Sequence, residues 1–103
     1  MRRFFPVFFA VFFLASVHGV GAEVRALWVT RWDYKTERDV VSIMANAAGY
    51  GFNTVLFQVR GDGTVYYPSK IEPWAWQLTG DSPACTGKNP GWDPLAVAIR
   101  EAK

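Results

Sequence analysis

The stretch GFNTVLFQVR, from Gly51 to Arg60, decides the fold class of this chain. From Phe52 to Val59 it is almost continuously apolar, with a glycine before it and a charged residue after it. A short apolar run with these boundaries predicts a strand rather than a helix. Continuous rather than alternating hydrophobicity is typical of a parallel strand that is covered on both faces. We therefore predict an interior strand of a parallel sheet.

The residues before this strand predict another strand and a helix. EVRALWVT, residues 23–30, is rich in Val, Leu and Trp and too short for a helix. Thr36 followed by Asp39 resembles a capping box, which marks the start of a helix. Apolar residues then recur at helical spacing until two glycines end the pattern; these are Val40, Val41, Met44, Ala47 and Ala48, followed by Gly49 and Gly51.

A second helix is predicted at the end of the chain, where Asp93 is a suitable N-cap and Pro94 a suitable first helical residue. Its apolar stripe comprises Leu95, Ala98, Ile99 and Ala102. The order strand, helix, strand, helix predicts an α/β fold with parallel strands. Closed (β/α)₈ barrels take about 250 residues. We therefore expect the 103 residues to be a truncated TIM barrel, comprising its first two β/α units.

The N-terminal residues have the layout of a secretory signal peptide. A cationic start, Met1 to Arg3, precedes the apolar run from Phe4 to Val17, and small residues follow at Val20 to Ala22. The alternative is an uncleaved membrane anchor, although the run is short for a span and Pro6 interrupts it. We predict a signal peptide over residues 1–22 and an exported domain over residues 23–103, with membrane contact only if the signal stays attached.

Composition limits the chemistry of the exported part. Without Arg2 and Arg3 the 11 basic residues fall to nine, equal to the nine acidic ones, so no nucleic-acid partner is predicted. The single histidine, His18, also lies in the signal, and Cys85 is the only cysteine. Residues 23–103 therefore cannot build a Ser-His, Cys-His or His-bearing metal site by themselves. No cofactor and no metal are predicted.

The connection from Gly61 to Trp92 is 32 residues long, whereas strand-to-helix loops usually take about 2–6. Its aromatic residues argue against disorder. In parallel α/β sheets, function gathers at the edge where strands end. The edge loops carry seven Trp and Tyr residues, each of which alone is more simply a loop anchor. As a set they predict a ligand cleft: Trp32, Tyr34, Tyr66, Tyr67, Trp74, Trp76 and Trp92.

Polar residues at the end of the second strand are the other site candidates. Gln58 and Arg60 alternate onto one strand face with Thr54 and Leu56, and we expect them to point into the mouth of the barrel. Such residues require partners, either a polar ligand or an internal ion pair of Arg60 with Asp33 or Asp62. The sequence leaves both possibilities open.

The carboxylates are the only acid–base groups available. Three of them are most simply helix-start residues, namely Glu37, Asp39 and Asp93. Glu72 and Asp81 are most simply solvated, whereas Asp33 and Asp62 lie just past strand ends. A catalytic acid and nucleophile need a fixed separation that a sequence does not give, so the catalytic residues stay unassigned.

Five stretches resemble the glycosyl-hydrolase-like 10 family of exported bacterial barrel proteins, and the resemblance extends over about residues 23–103. They are VRALWV (24–29), GFNTVLFQVR (51–60), YPSKIEPW (67–74), LTG (78–80) and GWDPL (91–95). The resemblance implies a barrel that hydrolyses a polysaccharide or cell-wall glycan, with catalytic carboxylates from later strands. It assigns Gln58 and Arg60 to the substrate side, while the chain departs from the family pattern around residues 61–64.

The leading hypothesis is thus a fragment of an exported glycoside hydrolase with a glycan substrate. The alternatives are a non-catalytic glycan-binding protein on the same barrel and a non-functional gene remnant. The candidate substrate-binding residues are Gln58, Arg60, Trp32, Asp33, Asp62, Tyr66, Trp74 and Trp76.

The signal layout generates a first prediction, that export is followed by cleavage between Ala22 and Glu23. N-terminal sequencing of the periplasmic or secreted product is expected to begin at Glu23. A mature product that still begins at Met1 supports the membrane-anchor alternative.

Overall fold

The computed structural model describes residues 7–9 and 23–103. The signal peptide predicted over residues 1–22 therefore lies outside the described residues, apart from one three-residue strand. In the described part of the chain, no helix is long and apolar enough to cross a membrane.

Three short parallel strands form the main sheet, in the order β1, β3, β2. They are β1 (Val7–Phe9), β2 (Ala26–Val29) and β3 (Thr54–Phe57). The parallel pairing of the two strands predicted after the signal is confirmed, but both are shorter than predicted. At their amino ends the side chain of Asn53 accepts a hydrogen bond from the Arg25 amide (2.9 Å) and donates one to the Glu23 carbonyl (2.8 Å). They add to backbone hydrogen bonds from the Asn53 and Thr54 amides to the Arg25 carbonyl (2.9 and 3.2 Å).

Helix α1 (Glu37–Gly49) begins with the predicted capping box. The Asp39 amide donates to the Thr36 hydroxyl (3.2 Å), and the Thr36 amide donates to the Asp39 carboxylate (3.0 Å). Backbone hydrogen bonds from Lys35 and then Thr36 hold the pKa of Asp39 below its usual value. The helix ends at Tyr50, and Gly51 follows with φ +89°, a left-handed conformation that favours glycine.

Helix α2 (Pro94–Glu101) is capped as predicted, because the Asp93 carboxylate accepts a hydrogen bond from the Ala96 amide (3.1 Å). Its predicted apolar stripe is partly wrong. Pro94, Val97, Ala98 and Ala102 are buried, whereas Ile99 is exposed. The buried face follows the spacing i, i+3, i+4 and i+8 from Pro94, and Ile99 lies off that face.

The core lies between the two helices and one face of the sheet. Val29, Val55 and Phe57 pack there with the buried residues of the helices, which include Val40, Met44, Ala47, Val97 and Ala98. Within the described residues the opposite face is covered less completely. Trp28, which is 54 % exposed, lies opposite the half-buried Leu56 in the register of β2 and β3. The expectation that β3 is buried on both faces therefore holds fully only on the helix side.

The capping box of α1 generates a second prediction. Thr36→Ala removes the acceptor of the Asp39 amide and is expected to destabilise the helix start by about 1 kcal/mol. Amide hydrogen exchange of the first turn, measured by NMR on a folded protein that contains residues 23–103, is expected to accelerate about fivefold. Ser42→Ala, at an exposed position in the middle of α1, is the matched control and should leave that rate unchanged. Equal rates in Thr36→Ala and wild type would contradict a role for the cap.

Candidate functional site

The long connection after β3 begins with a tight hairpin. Strands β4 (Arg60–Gly61) and β5 (Thr64–Val65) pair antiparallel. The two residues between them, Asp62 and Gly63, both have positive φ, 51° and 71°. Two-residue hairpins of this kind favour Asp-Gly. Sequence reasoning missed this hairpin, although the Asp-Gly pair just after an apolar run was the signal for it.

The rest of the connection is ordered by backbone hydrogen bonds, as its aromatic content predicts. The Tyr66 amide donates to the Val59 carbonyl (3.0 Å), and Val65 forms an isolated bridge with Trp74. Two short 3₁₀ helices follow, at Trp76–Leu78 and Pro83–Cys85. The connection therefore folds back over the carboxyl ends of β2 and β3.

Arg31 joins the loop after β2 to the hairpin. Its guanidinium donates to the Asp62 carboxylate (2.9 Å) and lies 4.7 Å from the centre of the Trp32 ring. Gly61 lies directly beneath it, and a Cβ there would approach Arg31 Nη1 to 2.5 Å. Only glycine leaves room for this arrangement. Sequence reasoning did not single out Arg31, because a one-dimensional pattern does not show that Asp62 lies opposite it.

Gln58 connects the same two loops through its side-chain amide. Its Oε1 accepts a hydrogen bond from the Arg31 amide (2.8 Å), and its Nε2 donates to the Arg60 carbonyl (3.0 Å). Its own carbonyl accepts from the Tyr34 hydroxyl (2.8 Å). A glutamine amide has two donor hydrogens and two acceptor lone pairs, so capacity for one further bond of each kind is left.

Arg60 forms an ion pair, but its partner is not one that the sequence suggested. Its guanidinium donates to both carboxylate oxygens of Glu72, with Nε–Oε1 at 2.8 Å and Nη2–Oε2 at 2.6 Å. Asp62 pairs with Arg31, and Asp33 accepts hydrogen bonds from the amide and hydroxyl of Thr30 (2.8 and 3.0 Å).

The expectation that Glu72 is solvated is also wrong, since its side chain is 24 % exposed. The Ser69 hydroxyl accepts hydrogen bonds from the amides of Ile71 and Glu72 (3.0 and 3.2 Å), and this turn orients Glu72 toward the hairpin. The expectation that Asp81 is solvated agrees with the structure, because its side chain is almost fully exposed. Its one ion-pair contact among the described residues is with Lys35 Nζ, at 3.4 Å.

Three aromatic rings anchor the connection in the core. Tyr34 stacks on Phe57 (4.8 Å between ring centres) and meets Tyr66 edge to face (5.6 Å). Burial raises the pKa of both tyrosines, and the Arg31 guanidinium partly opposes this for Tyr66. Tyr66 was a candidate sugar contact, but its ring is fully buried and presents no free face in this structure. It is a loop anchor, because its ring completes the packing around Tyr34.

Trp32 and Trp76 lie together at the surface. Their ring centres are 6.3 Å apart at an interplanar angle of 66°, and Trp32 is 61 % exposed. They border an open pocket of about 240 Å³, whose lining is completed by Arg31, Tyr34, Lys35, Gln77, Gly80 and Asp81. Trp74, another candidate, is half-buried and packs against the core instead. Within residues 7–9 and 23–103, no group of three His, Cys, Asp or Glu side chains could hold a metal ion.

Comparison with known proteins agrees with the resemblance seen in the sequence. Residues 23–103 match the model of the family described as Glycosyl hydrolase-like 10. This chain belongs to the glycosyl hydrolase-like 10 family. Its mixed α/β fold is also confirmed by the structure.

Two relatives carry names that describe hydrolases. The chain is 52 % identical over 52 residues to the glycosyl hydrolase DigH of Escherichia coli (strain K12), covering 50 % of this chain and 11 % of DigH. It is 31 % identical over 91 residues to the glycosyl hydrolase YngK of Bacillus subtilis (strain 168), covering 77 % of this chain and 17 % of YngK. The chain therefore spans less than a fifth of the length of these family members.

The Arg60–Glu72 pair generates a third prediction. Hydrogen bonding to Arg60 lowers the pKa of Glu72, so the stabilisation by the pair is complete above the ordinary Glu pKa of about 4.3. It is lost as the pH falls through the lowered pKa of the folded state. An NMR titration of the Glu72 carboxyl in a folded protein containing this segment is expected to have its midpoint below that of an ordinary Glu.

The substitution Arg60→Gln tests whether Arg60 causes the lowered pKa of Glu72, and the Asp39 carboxyl is the internal control. The substitution should raise the Glu72 midpoint toward the ordinary value. It should leave the titration of Asp39 unchanged, because backbone amides rather than Arg60 lower the pKa of Asp39. A Glu72 midpoint that does not move in Arg60→Gln would show that the pair is absent in solution.

Proposed function

We propose that this segment opens the (β/α)₈ barrel of an exported glycoside hydrolase that acts on a polysaccharide or cell-wall glycan. The proposal depends above all on one observation. In a chain of the glycosyl hydrolase-like 10 family, the exposed indole ring of Trp32, the half-buried ring of Trp76 and several hydrogen-bonding groups lie together at the carboxyl ends of two parallel strands. That edge is where barrel enzymes bind their substrates.

The sheet supports the barrel architecture. Both helices pack on one face of β2 and β3, while Trp28 and Leu56 on the other face are not fully covered. In a (β/α)₈ barrel the helices lie outside and the second face of each strand points into a packed interior. Apolar residues such as Trp28 would be buried there by side chains from further strands. Residues 23–103 would then supply the first two β/α units of the domain.

The residues of the proposed site have two roles, contact with the sugar and positioning of neighbouring groups. Trp32 and Trp76 offer apolar ring surface to the C–H faces of a sugar. Gln58 and Arg60 act by position, since Gln58 joins the two edge loops and Arg60 holds Glu72. Arg60 remains more than half exposed beside this contact. Its remaining N–H groups are thus available to a sugar hydroxyl or to a catalytic carboxylate from another strand.

The carboxylates favour a second candidate, a non-catalytic glycan-binding protein on the same barrel. At the strand-end edge, Asp33, Asp62 and Glu72 each accept hydrogen bonds from neighbouring residues. A general acid needs a raised pKa, whereas the pKa of Glu72 is lowered. In the hydrolase proposal the acid and nucleophile therefore come from later strands of the complete protein. Two carboxylates at those strand ends favour the enzyme, and their absence favours the binding protein.

A fourth prediction tests the hydrolase proposal in the complete protein. Arg60→Lys keeps the positive charge, but a single ammonium nitrogen cannot form the two parallel hydrogen bonds that two guanidinium nitrogens make to Glu72. Turnover of a glycan substrate is expected to fall about tenfold or more. The melting temperature is expected to change by about 2 °C or less, because the Arg60 side chain is more than half exposed and the substitution keeps its charge. Arg38→Lys, on the exposed surface of α1, is the matched control and should alter neither quantity.

Two results would count against this proposal. If Arg60→Lys unfolds the complete protein, Arg60 is a structural residue and its ion pair is not part of the site. Residues 23–103 alone are expected to hydrolyse no oligosaccharide, because catalysis needs two opposed carboxylates at a fixed separation. Hydrolysis by that segment would show that the catalytic acids lie within it.

A further inference from the structure

Strand β1 (Val7–Phe9) covers one edge of β3, although it belongs to the segment that the sequence predicts to be a signal peptide. It pairs parallel to β3, with Val7 opposite Val55 and Phe9 opposite Phe57. The other edge of β3 pairs with β2 in the same direction. Within the described residues β3 is therefore the central strand of the sheet, and its second edge is covered by the leader.

The backbone of β3 shows which of its groups face β1. The amides of Thr54 and Gln58 donate to carbonyls on the β2 side (3.2 and 2.9 Å). Backbone groups alternate between the two edges of a strand, so the amides and carbonyls of Val55 and Phe57 face β1. In a parallel pair the facing residues of the two strands are offset by one. In β1 the residue that faces β3 is therefore Phe8.

The proposed barrel needs the same edge of β3. In a (β/α)₈ barrel the parallel strands follow one another around a closed sheet, so every strand has a neighbour on both sides. The strand that follows α2 in the complete protein would therefore pair with the edge that β1 covers. The amides and carbonyls of that edge can serve only one neighbouring strand at a time. Pairing with β1 and pairing with the next barrel strand are therefore mutually exclusive.

Strand β1 is short enough to be displaced. It has three residues, whereas strands of globular proteins usually have about 5–6, so it forms few hydrogen bonds with β3. It nevertheless belongs to the same chain, which gives it a high effective concentration at the unpaired edge. The leader therefore delays pairing of the next strand but does not prevent it. If β1 covers the edge for about nine-tenths of the time, the barrel closes about tenfold more slowly.

We propose that the leader is an intramolecular inhibitor of folding, in which β1 covers the edge of β3 until the leader is removed and the next strand of the barrel takes its place. This inference rests on the barrel architecture of the proposed function and on the predicted cleavage after Ala22. It gives the leader a role besides export, because the precursor closes its barrel slowly until cleavage. The same pairing protects the edge of β3 from pairing with other chains.

The experiment compares refolding of the complete protein with and without residues 1–22. Both forms are unfolded in guanidinium chloride and diluted, and stopped-flow tryptophan fluorescence follows refolding at several protein concentrations, so that aggregation is recognised by its concentration dependence. All five tryptophans lie after the leader, so the signal reports on the same domain in both forms. The precursor is expected to refold about tenfold more slowly than the mature form. Equal rates overturn the proposal.

Two proline substitutions in the precursor separate the pairing of β1 from the general effect of an apolar leader. Phe8→Pro removes the β1 amide that faces β3 and is expected to restore most of the mature refolding rate. Phe13→Pro, outside β1, removes an equally apolar side chain and also adds a proline. It is the matched control and should leave the slow rate unchanged. Equal relief by both variants overturns the proposal, because the apolar character of the leader alone would then explain the slowing.

Amide hydrogen exchange distinguishes failure of this inference from failure of the proposed barrel. In the mature protein the amides of Val55 and Phe57 are expected to be protected, because the next barrel strand accepts their hydrogen bonds in place of β1. Protected amides together with equal refolding rates overturn the role of the leader and leave the barrel intact. Unprotected amides in the mature protein contradict the barrel and, with it, the competition for the edge. Neither measurement depends on hydrolysis.

Discussion

The parallel pairing of β2 with β3, in the register that sets Val29 opposite Phe57, determines where the candidate site forms. Because the two strands end at the same level, the loops that follow them begin side by side. The Gln58 amide donates to the Val29 carbonyl (2.9 Å), which extends the ladder by one bond. The Gln58 side chain then accepts from the Arg31 amide. Two hydrogen bonds of Gln58 thus hold the start of the loop after β3 against the start of the loop after β2.

Two arginines restrain the positions of the loops that follow β2 and β3. Arg31 reaches across the hairpin to Asp62 and lies over Trp32, while Arg60 leaves the hairpin in another direction to meet Glu72. Each ion pair has one largely solvated member, Asp62 in the first and Arg60 in the second, and such pairs contribute little to stability by themselves. Their importance here is geometric, because a planar guanidinium with several fixed donors restrains the groups on either side of it. Asp62, which accepts from Arg31, is one of the two turn residues of the hairpin with positive φ.

The remainder of the connection is held by aromatic packing. Tyr34 and Tyr66 are buried against Phe57. Three further rings pack half-buried against the core, namely Tyr67, Trp74 and Trp92. The exposed Trp32 and the half-buried Trp76 remain as the aromatic pair that borders the pocket. Tryptophan and tyrosine side chains thus pack in the core and line the pocket at the same edge of the sheet. Of the seven aromatic residues from which a cleft was predicted, Trp32, Tyr34 and Trp76 line the pocket.

The sequence by itself determined what depends on local patterns. It specified the α/β order, the capping box of Thr36 and Asp39, the Asp93 cap and the family, because caps and apolar periodicity act over a few residues. Only the tertiary structure decided which acid meets which arginine and which aromatic rings are buried. Arg60 lies 12 positions from Glu72, and Arg31 lies 31 from Asp62. The folding path of the chain between such residues sets their distance, and no local pattern encodes it.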